Sequence, residues 1–226
     1  MVPPKARLKV TTSLQFVAET LLPTTRGALR VRAYRDHEDG SEPLAIVHGT
    51  VEHGQDILLR VHDQCLTSEV FGSLKCDCAD QLDYALNEIQ RDGPGLVIYL
   101  PQEGRGIGLA NKIAAYRLQE SGLDTVDANR QLGLPDDIRR YDSAAEIIRD
   151  LSIESVRLLT NNPRKVRHLT KLGINISARL PLHIEPNPHS ANYIATKFTR
   201  MDHMQDELAS REMSSDSNHE ETNEDT

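Results

Sequence analysis

Three cysteines in 226 residues are too few for a disulfide framework, since one thiol must always be left over. Nor does any window approach the ~20 apolar residues that cross a bilayer. The first 22 residues carry basic side chains but no uninterrupted apolar stretch and no small-residue cleavage site, so no signal peptide is expected there. Few thiols and no export signal point to a reducing compartment, with the cytoplasm as the expected location. No membrane or nucleic-acid partner is expected. The pattern G-x-x-x-x-G-K-[ST] is missing, which excludes a P-loop nucleotidase. Internal repeats are missing too.

Charge is unevenly spread. The formal net charge is −8, yet nine of the 34 acidic residues and one of the 26 basic ones fall in residues 202–226. The remainder is balanced, with 25 of each sign. That tail is rich in Ser, Asn and Asp and cannot bury enough apolar surface to offset its ordering entropy. It is expected to be a disordered, solubilising segment. A flexible extension is expected over 1–15 and one folded domain over 16–201, long enough to bury a substantial core.

Hydrophobic spacing orders that domain. Residues 16–22 and 28–33 flank PTTRG and read as a hairpin, and 44–48 and 57–62 as two further strands. After Cys78 the spacing becomes helical, with Leu82, Ala85, Leu86 and Ile89 on one face and Gly93-Pro94 as the stop. A buried strand at 96–100 leads through a glycine-rich loop into a helix ending near Glu120. Ser143 and Glu146 are spaced as a capping box for a helix over 144–151. A strand at 156–159, an Asn162-Pro163 helix start, a helix ending at Gly173 and a strand at 174–178 follow. Strand pairs followed by alternating strands and helices predict an α/β fold: a layered, mixed β-sheet flanked by helices, with a strand-rich N-terminal portion.

Chemistry concentrates in residues 60–78, RVHDQCLTSEVFGSLKCDC, which hold Cys65, Cys76 and Cys78. Isolated thiols would pack as small hydrophobes. Their clustering in a polar frame of Arg60, His62, Asp63, Gln64, Lys75 and Asp77 favours zinc. Structural zinc takes four protein ligands, whereas catalytic zinc takes three and keeps one position open. Two versions therefore stand: an open three-thiolate site, or a closed one with His62 as fourth ligand. Three loops lie beyond strand ends, where α/β folds place ligands. The first, 102–108, offers glycine-flanked backbone N–H groups and the cationic fork of Arg105 to an anion. Its G-x-G-x-G spacing departs from the dinucleotide fingerprint, and alone it reads as a tight turn. The second, 160–165, is a helix start with Lys165 nearby. The third, 136–141, alternates acids and guanidiniums and by itself reads as a solvated loop.

Four motifs in order resemble the GTP cyclohydrolase II family over about residues 15–200: RVHxxCLT with GSLKCDC, QEGRGIGLANKIAAY, DTVDAN followed by LGLPDDIR, and LLTNNPRK. The resemblance implies a homodimeric α/β enzyme of riboflavin biosynthesis. Such an enzyme hydrolyses GTP at C8 of the guanine, releases formate and pyrophosphate, and leaves a diaminopyrimidinone ribotide. It implies one zinc per subunit on Cys65, Cys76 and Cys78, whose bound water attacks C8, and Mg2+ accompanying the GTP phosphates. Carried over position by position, Arg60, Val61, His62, Asp63 and Gln64 line the nucleotide site beside the metal. Gln81, Glu103, Gly104, Arg105, Thr125, Thr160 and Lys165 also meet the nucleotide. Tyr116 stands near the metal-bound water, although Leu109, Lys112 and Ile113 share its helix face and a core aromatic is the bland reading. Asp137 matches a proton acceptor, and Arg139 an arginine that attacks the α-phosphate. Guanidinium stays protonated and is a poor nucleophile, so an electrostatic role for Arg139 stands beside the covalent one. Within these 226 residues no dihydroxybutanone-phosphate synthase domain, which some relatives carry upstream, is expected.

One departure stands out. The family pattern RVHSEC is RVHDQC here, with Asp63 and Gln64. A glutamate can accept from both the guanine N1–H and its amino group, whereas Gln64 offers one carbonyl. Asp63 could return the lost charge from the neighbouring position. Two rival readings remain: a paralogue that stops at a formamidopyrimidine, and a zinc-stabilised nucleotide-binding protein without catalysis. If Gln64 faces the base, Gln64→Glu should lower KM for GTP by the equivalent of about 1–3 kcal/mol through charge-assisted bonds. Steady-state kinetics on the variant check this; an unchanged KM assigns base recognition to another group.

Overall fold

The computed structural model describes residues 13–185 and Pro188. The tail expected at 202–226 and most of the extension expected at 1–15 lie outside the described residues. The expected hairpin is β1 (Leu14–Thr24) and β2 (Gly27–Asp36), antiparallel and in continuous register apart from an irregularity between Phe16 and Ala18. Then come β3 (Leu44–His48), β4 (Ile57–Asp63), a one-turn helix α1 (Leu66–Glu69) and α2 (Cys78–Arg91). Beyond α2 are β5 (Gly95–Leu100), a 3₁₀ turn (Glu103–Gly106), α3 (Leu109–Gln119) and α4 (Thr125–Gln131). The chain continues with α5 (Asp142–Asp150), β6 (Val156–Leu159), α6 (Pro163–Lys171) and β7 (Ile176–Leu180).

All seven strands join one mixed sheet in the order β1-β2-β3-β5-β4-β6-β7. The first four of that order pair antiparallel, whereas β5, β4, β6 and β7 run parallel. From β4 the chain steps to β5 on one side, then returns across β4 to β6 on the other. Right-handed crossovers in opposite directions put their helices on opposite faces. Two separate cores follow. One packs α2 (Ala85, Ile89) on Leu58, Val97 and Leu159. The other packs α5 and α6 (Ile147, Ile148, Leu169) on Leu59, Val61, Leu96, Ile98 and Leu158. Because direction reverses at β4, the crevice beyond its carboxyl end, between its two parallel neighbours, is where such a sheet presents a ligand site.

Three expectations need correction. Ser143 and Glu146 do not cap α5: its N-cap is Tyr141, with no side-chain cap bond, and the helix covers 142–150 rather than 144–151. Both side chains are drawn to the first hairpin instead. Ser143 Oγ donates to Asp36 Oδ2 at 2.7 Å, and Glu146 Oε2 accepts from Leu14 N at 3.2 Å. Tertiary partners have displaced the local motif. The last strand begins at Ile176 rather than residue 174, because Ile174 N closes the end of α6 by donating to Leu169 O. The Asn162-Pro163 start holds: Asn162 accepts from Arg164 N at 2.9 Å and proline takes the first helical turn.

Candidate active site

Within the crevice one pocket collects the chemistry. Cys65, Cys76 and Cys78 form one wall, and Asp63 and Arg139 another. Residues of the 102–107 segment and of α3 and α4, among them Tyr116, Gln119, Thr125 and Asn129, close it.

At the thiol end the three Sγ atoms lie within 4.8 Å of one another, and those of Cys65 and Cys76 are 3.6 Å apart. Bonded sulfurs would sit at ~2.05 Å; these are free thiols. Metal–sulfur bonds of about 2.3 Å in a tetrahedron set neighbouring sulfurs about 3.8 Å apart, so the spacing fits one ion. Charge makes the same demand. Bonds from Cys76 and Cys78, then Lys112, pull the Cys65 thiol below its ordinary pKa, and the ionised Cys65 pushes Cys76 up. A second thiolate needs a cation between them.

Among the described residues no His, Asp or Glu atom joins this group. His62 in particular is no fourth ligand. Its Nε2 is 3.0 Å from Glu69 Oε1, and its ring stacks on Tyr99 at 5.7 Å and 23°. Burial, above all, holds the imidazole pKa below its ordinary value. Glu69 also accepts from Cys65 N (2.7 Å) and from the Tyr99 hydroxyl (2.6 Å), so this trio fixes the turn that presents Cys65.

The glycine-rich loop bends through left-handed backbone. Gly104 has φ 61°, Arg105 φ 62° and Gly106 φ 92°. A side chain at 106 would meet Ile138 Cγ1 at 2.7 Å, so only glycine lets the 102–106 and 137–141 segments approach. Ile138 N donates to Arg105 O at 3.1 Å. The Gln102 amide completes the seam, accepting from Arg140 N and donating to Arg140 O, both at 2.7 Å. Glu103 is turned inward. Its carboxylate accepts from Leu66 N (2.6 Å), Gly104 N (2.9 Å) and Lys112 Nζ (2.7 Å).

Opposite the thiols, three cations meet two carboxylates. Arg139 donates to both oxygens of Asp137, Nε to Oδ1 at 3.0 Å and Nη2 to Oδ2 at 2.8 Å, and Nη1 reaches Asp63 Oδ2 at 2.9 Å. Lys165 Nζ donates to that same Asp63 oxygen (3.1 Å) and to Val61 O (2.7 Å). Arg164 adds a bond to Asp137 at 3.2 Å. Burial alone would raise the Asp63 carboxyl, but Lys165 and Arg139 outweigh it and hold it at about 2. For Lys165 burial wins, and only Asp63 among its main partners offsets it, leaving it at about 8. The Asp63 charge is thus shared between two cations.

Of the residues singled out from sequence, Asp63, Gln64, Glu103, Gly104, Arg105, Tyr116, Thr125, Arg139 and the three cysteines line the pocket. The others stand behind it. Arg60 is buried between Leu159 O (3.0 Å) and Gln81 Oε1 (2.7 Å), and Gln81 in turn donates to Asp77 at 2.7 Å. Thr160 Oγ1 accepts from Asn162 N at 3.1 Å, and the Val61 side chain belongs to the core. Asp137 and Lys165 back Arg139 and Asp63. Sequence reasoning missed Gln102, Gln119 and Asn129 and gave Lys112 no role. Only Lys112, four residues before Tyr116 on α3, carried a legible signal, a shared helix face.

A family model described as GTP cyclohydrolase II matches residues 15–181. Over 199 residues the chain is 47% identical to the riboflavin biosynthesis protein RibBA of Bacillus subtilis (strain 168), covering 88% of this chain and 50% of that protein. To the RibBA of Aquifex aeolicus (strain VF5) it is 45% identical over 201 residues, with the same 88% and 50% coverage. The chain spans about half the length of the curated relatives it matches.

The buried pair at the cation end has a measurable consequence. Asp63→Asn should cost about 3–5 kcal/mol of stability near neutral pH, because it strands a buried ammonium. The loss should shrink as pH rises through about 8, where Lys165 sheds its proton and no longer needs the carboxylate. Asp136→Asn, which breaks the exposed pair with Arg130, should stay within about 1 kcal/mol. Denaturant midpoints at pH 6.5 and 9 separate the two cases.

Proposed function

Because the chain belongs to the GTP cyclohydrolase II family, we propose that this pocket hydrolyses GTP at C8 of the guanine, releasing formate and pyrophosphate, as the first step of riboflavin biosynthesis. The observation that carries the reading is one pocket with a metal-ready thiol cluster on one wall and a doubly anchored guanidinium on another. Zinc on Cys65, Cys76 and Cys78 would supply Lewis acidity and an activated water at the base. Magnesium would enter on the phosphates of GTP, since the thiols are the one metal-ready group among the described residues.

The chain's own residues supply the rest. Tyr116 lines the pocket rather than the core, its ring 4.8 Å from Lys75 Nζ and 5.7 Å from Lys112 Nζ. In this reading its hydroxyl holds or passes a proton at the reacting carbon. Gln64 faces the base, while Arg105 and Thr125 meet the ribose and phosphates. Arg139 binds the α-phosphate as a permanent cation. A covalent attack would require it to lose a proton, and the geometry favours the opposite. Burial lowers its pKa, but Asp63 and Asp137 more than compensate and raise it well above the ordinary arginine value. Asp137 resists the role of proton acceptor for the same reason. Burial would lift its carboxyl, yet the bonds and charge of Arg139 keep it low. Asp137 is thus the mount that aims Arg139.

With purified protein and GTP, formate, pyrophosphate and the pyrimidine product should appear in equal amounts. Pyrophosphate or ring opening without formate would indicate the formamidopyrimidine paralogue, and no turnover a binding protein. Tyr116→Phe should lower formate release by about 10²–10⁴-fold while sparing pyrophosphate release. Arg139→Lys should retain more pyrophosphate release than Arg139→Ala, because a cation remains at the phosphate. If both fall to the same floor, the covalent role returns.

A second copy of the chain is the proposed partner. The edge strand β1 exposes Phe16, Val17, Leu21 and Leu22 on both faces, with Leu21 at 67%. Among the described residues nothing pairs with the outer side of β1, and an exposed apolar edge of this length invites self-association unless covered. Light scattering should give a dimer, shifted toward monomer by Leu21→Lys; an unchanged dimer would place the interface elsewhere.

A further inference from the structure

Lys112 is a pocket-lining cation without a part in the reaction described above. Its Nζ is 3.0 Å from Cys65 Sγ and 2.7 Å from Glu103 Oε1. Glu103 is itself fixed by the backbone N–H groups of Leu66 and Gly104. The ammonium is therefore tied to the turn that carries Cys65 and to the glycine-rich loop, with little freedom to follow a substrate. Its side chain is 11% exposed. We propose that Lys112 is a positioning residue for the metal centre: it hydrogen-bonds the Cys65 thiolate and withdraws charge from that one ligand, rather than contacting the nucleotide.

The need for such a group follows from the ligand set. Three thiolates around a divalent ion carry a net charge of −1, and strongly donating sulfurs blunt the acidity of the ion they hold. A hydrogen bond from an ammonium draws electron density off one sulfur, as outer-shell partners of metal ligands commonly do. Glu103 holds the ammonium in register, so the pair acts as one unit. The inference rests on the zinc reading of the three cysteines, and the experiment separates the two.

Full-length protein loaded with cobalt(II) in place of zinc should show sulfur-to-cobalt charge-transfer absorption. If it shows none, the metal reading fails and this proposal with it. Given that band, Lys112→Met should move it to longer wavelength, since the freed thiolate gives up an electron more easily, and should speed iodoacetamide alkylation of the metal-loaded protein. Lys112→Arg, which keeps a charged N–H donor, should restore both. Formate release in Lys112→Met should fall roughly 10–100-fold, the usual loss for an outer-shell partner, with KM for GTP unchanged. An unmoved band and alkylation rate in Lys112→Met would overturn the proposal and leave Lys112 as a brace for Glu103. A raised KM with an unmoved band would overturn it in favour of a nucleotide contact. Should the Met variant not fold, Lys112→Gln, neutral but still able to donate to Glu103, is read in the same way, with a smaller shift in the same direction.

Discussion

A single buried carboxylate sets the geometry of half the pocket. Asp63 ends β4 with one oxygen shared between Arg139 and Lys165. Its side chain is 11% exposed, and Lys165 is nearly sealed from water at 4%. Neither charge is tolerable there alone. Removing water from both makes the pair directional: Lys165 is pinned to the Val61 carbonyl, and Arg139 is caught between Asp63 and Asp137. Arg139 is thereby aimed without any contribution from substrate. Preorganised charge of this kind needs no rearrangement when new charge develops beside it.

The strand that carries Asp63 divides the site by simple alternation. Successive side chains point to opposite faces. Arg60 and His62 share the α2 face with Leu58, and there they brace Gln81 and, through Glu69, the turn of Cys65. Asp63 shares the other face with Leu59 and Val61, toward α6 and its lysine. One seven-residue strand thus supports the thiol end from one side of the sheet and the cation end from the other. Because strands are added to β4 first on one side and then on the other, a crevice at its carboxyl end has room for both.

Much of this was legible before any coordinates. Short apolar runs located the strands closely, since β4, β5 and β6 are largely buried and their composition has little freedom. The thiol cluster was legible because metal ligands are few in kind and fixed in number. Less legible was anything decided by distant partners. Ser143 and Glu146 satisfy the local rule for a helix cap, yet Asp36 and Leu14 claim them from more than 100 residues away. One-turn α1 is too short to show a period. Helix α4 was overlooked although Asp124 caps it, accepting from Val126 N and Asp127 N. Pocket-lining and supporting residues could not be told apart by motif membership: Thr125 and Thr160 each lie in one of the four motifs, but only the first lines the pocket. Which side of a wall a side chain occupies is a property of packing, not of spacing.

The seam between the glycine-rich loop and the arginine loop bears on how the pocket moves. Glycine at 106 is the hinge of closest approach, and bonds from Ile138 to Arg105 and between Gln102 and Arg140 stitch the two segments together. Segments joined this way travel as a single body. Arg139 then cannot shift while the glycine-rich loop stays still. A load placed on either segment is therefore carried by both, so the two sides of the pocket yield with one shared stiffness rather than two.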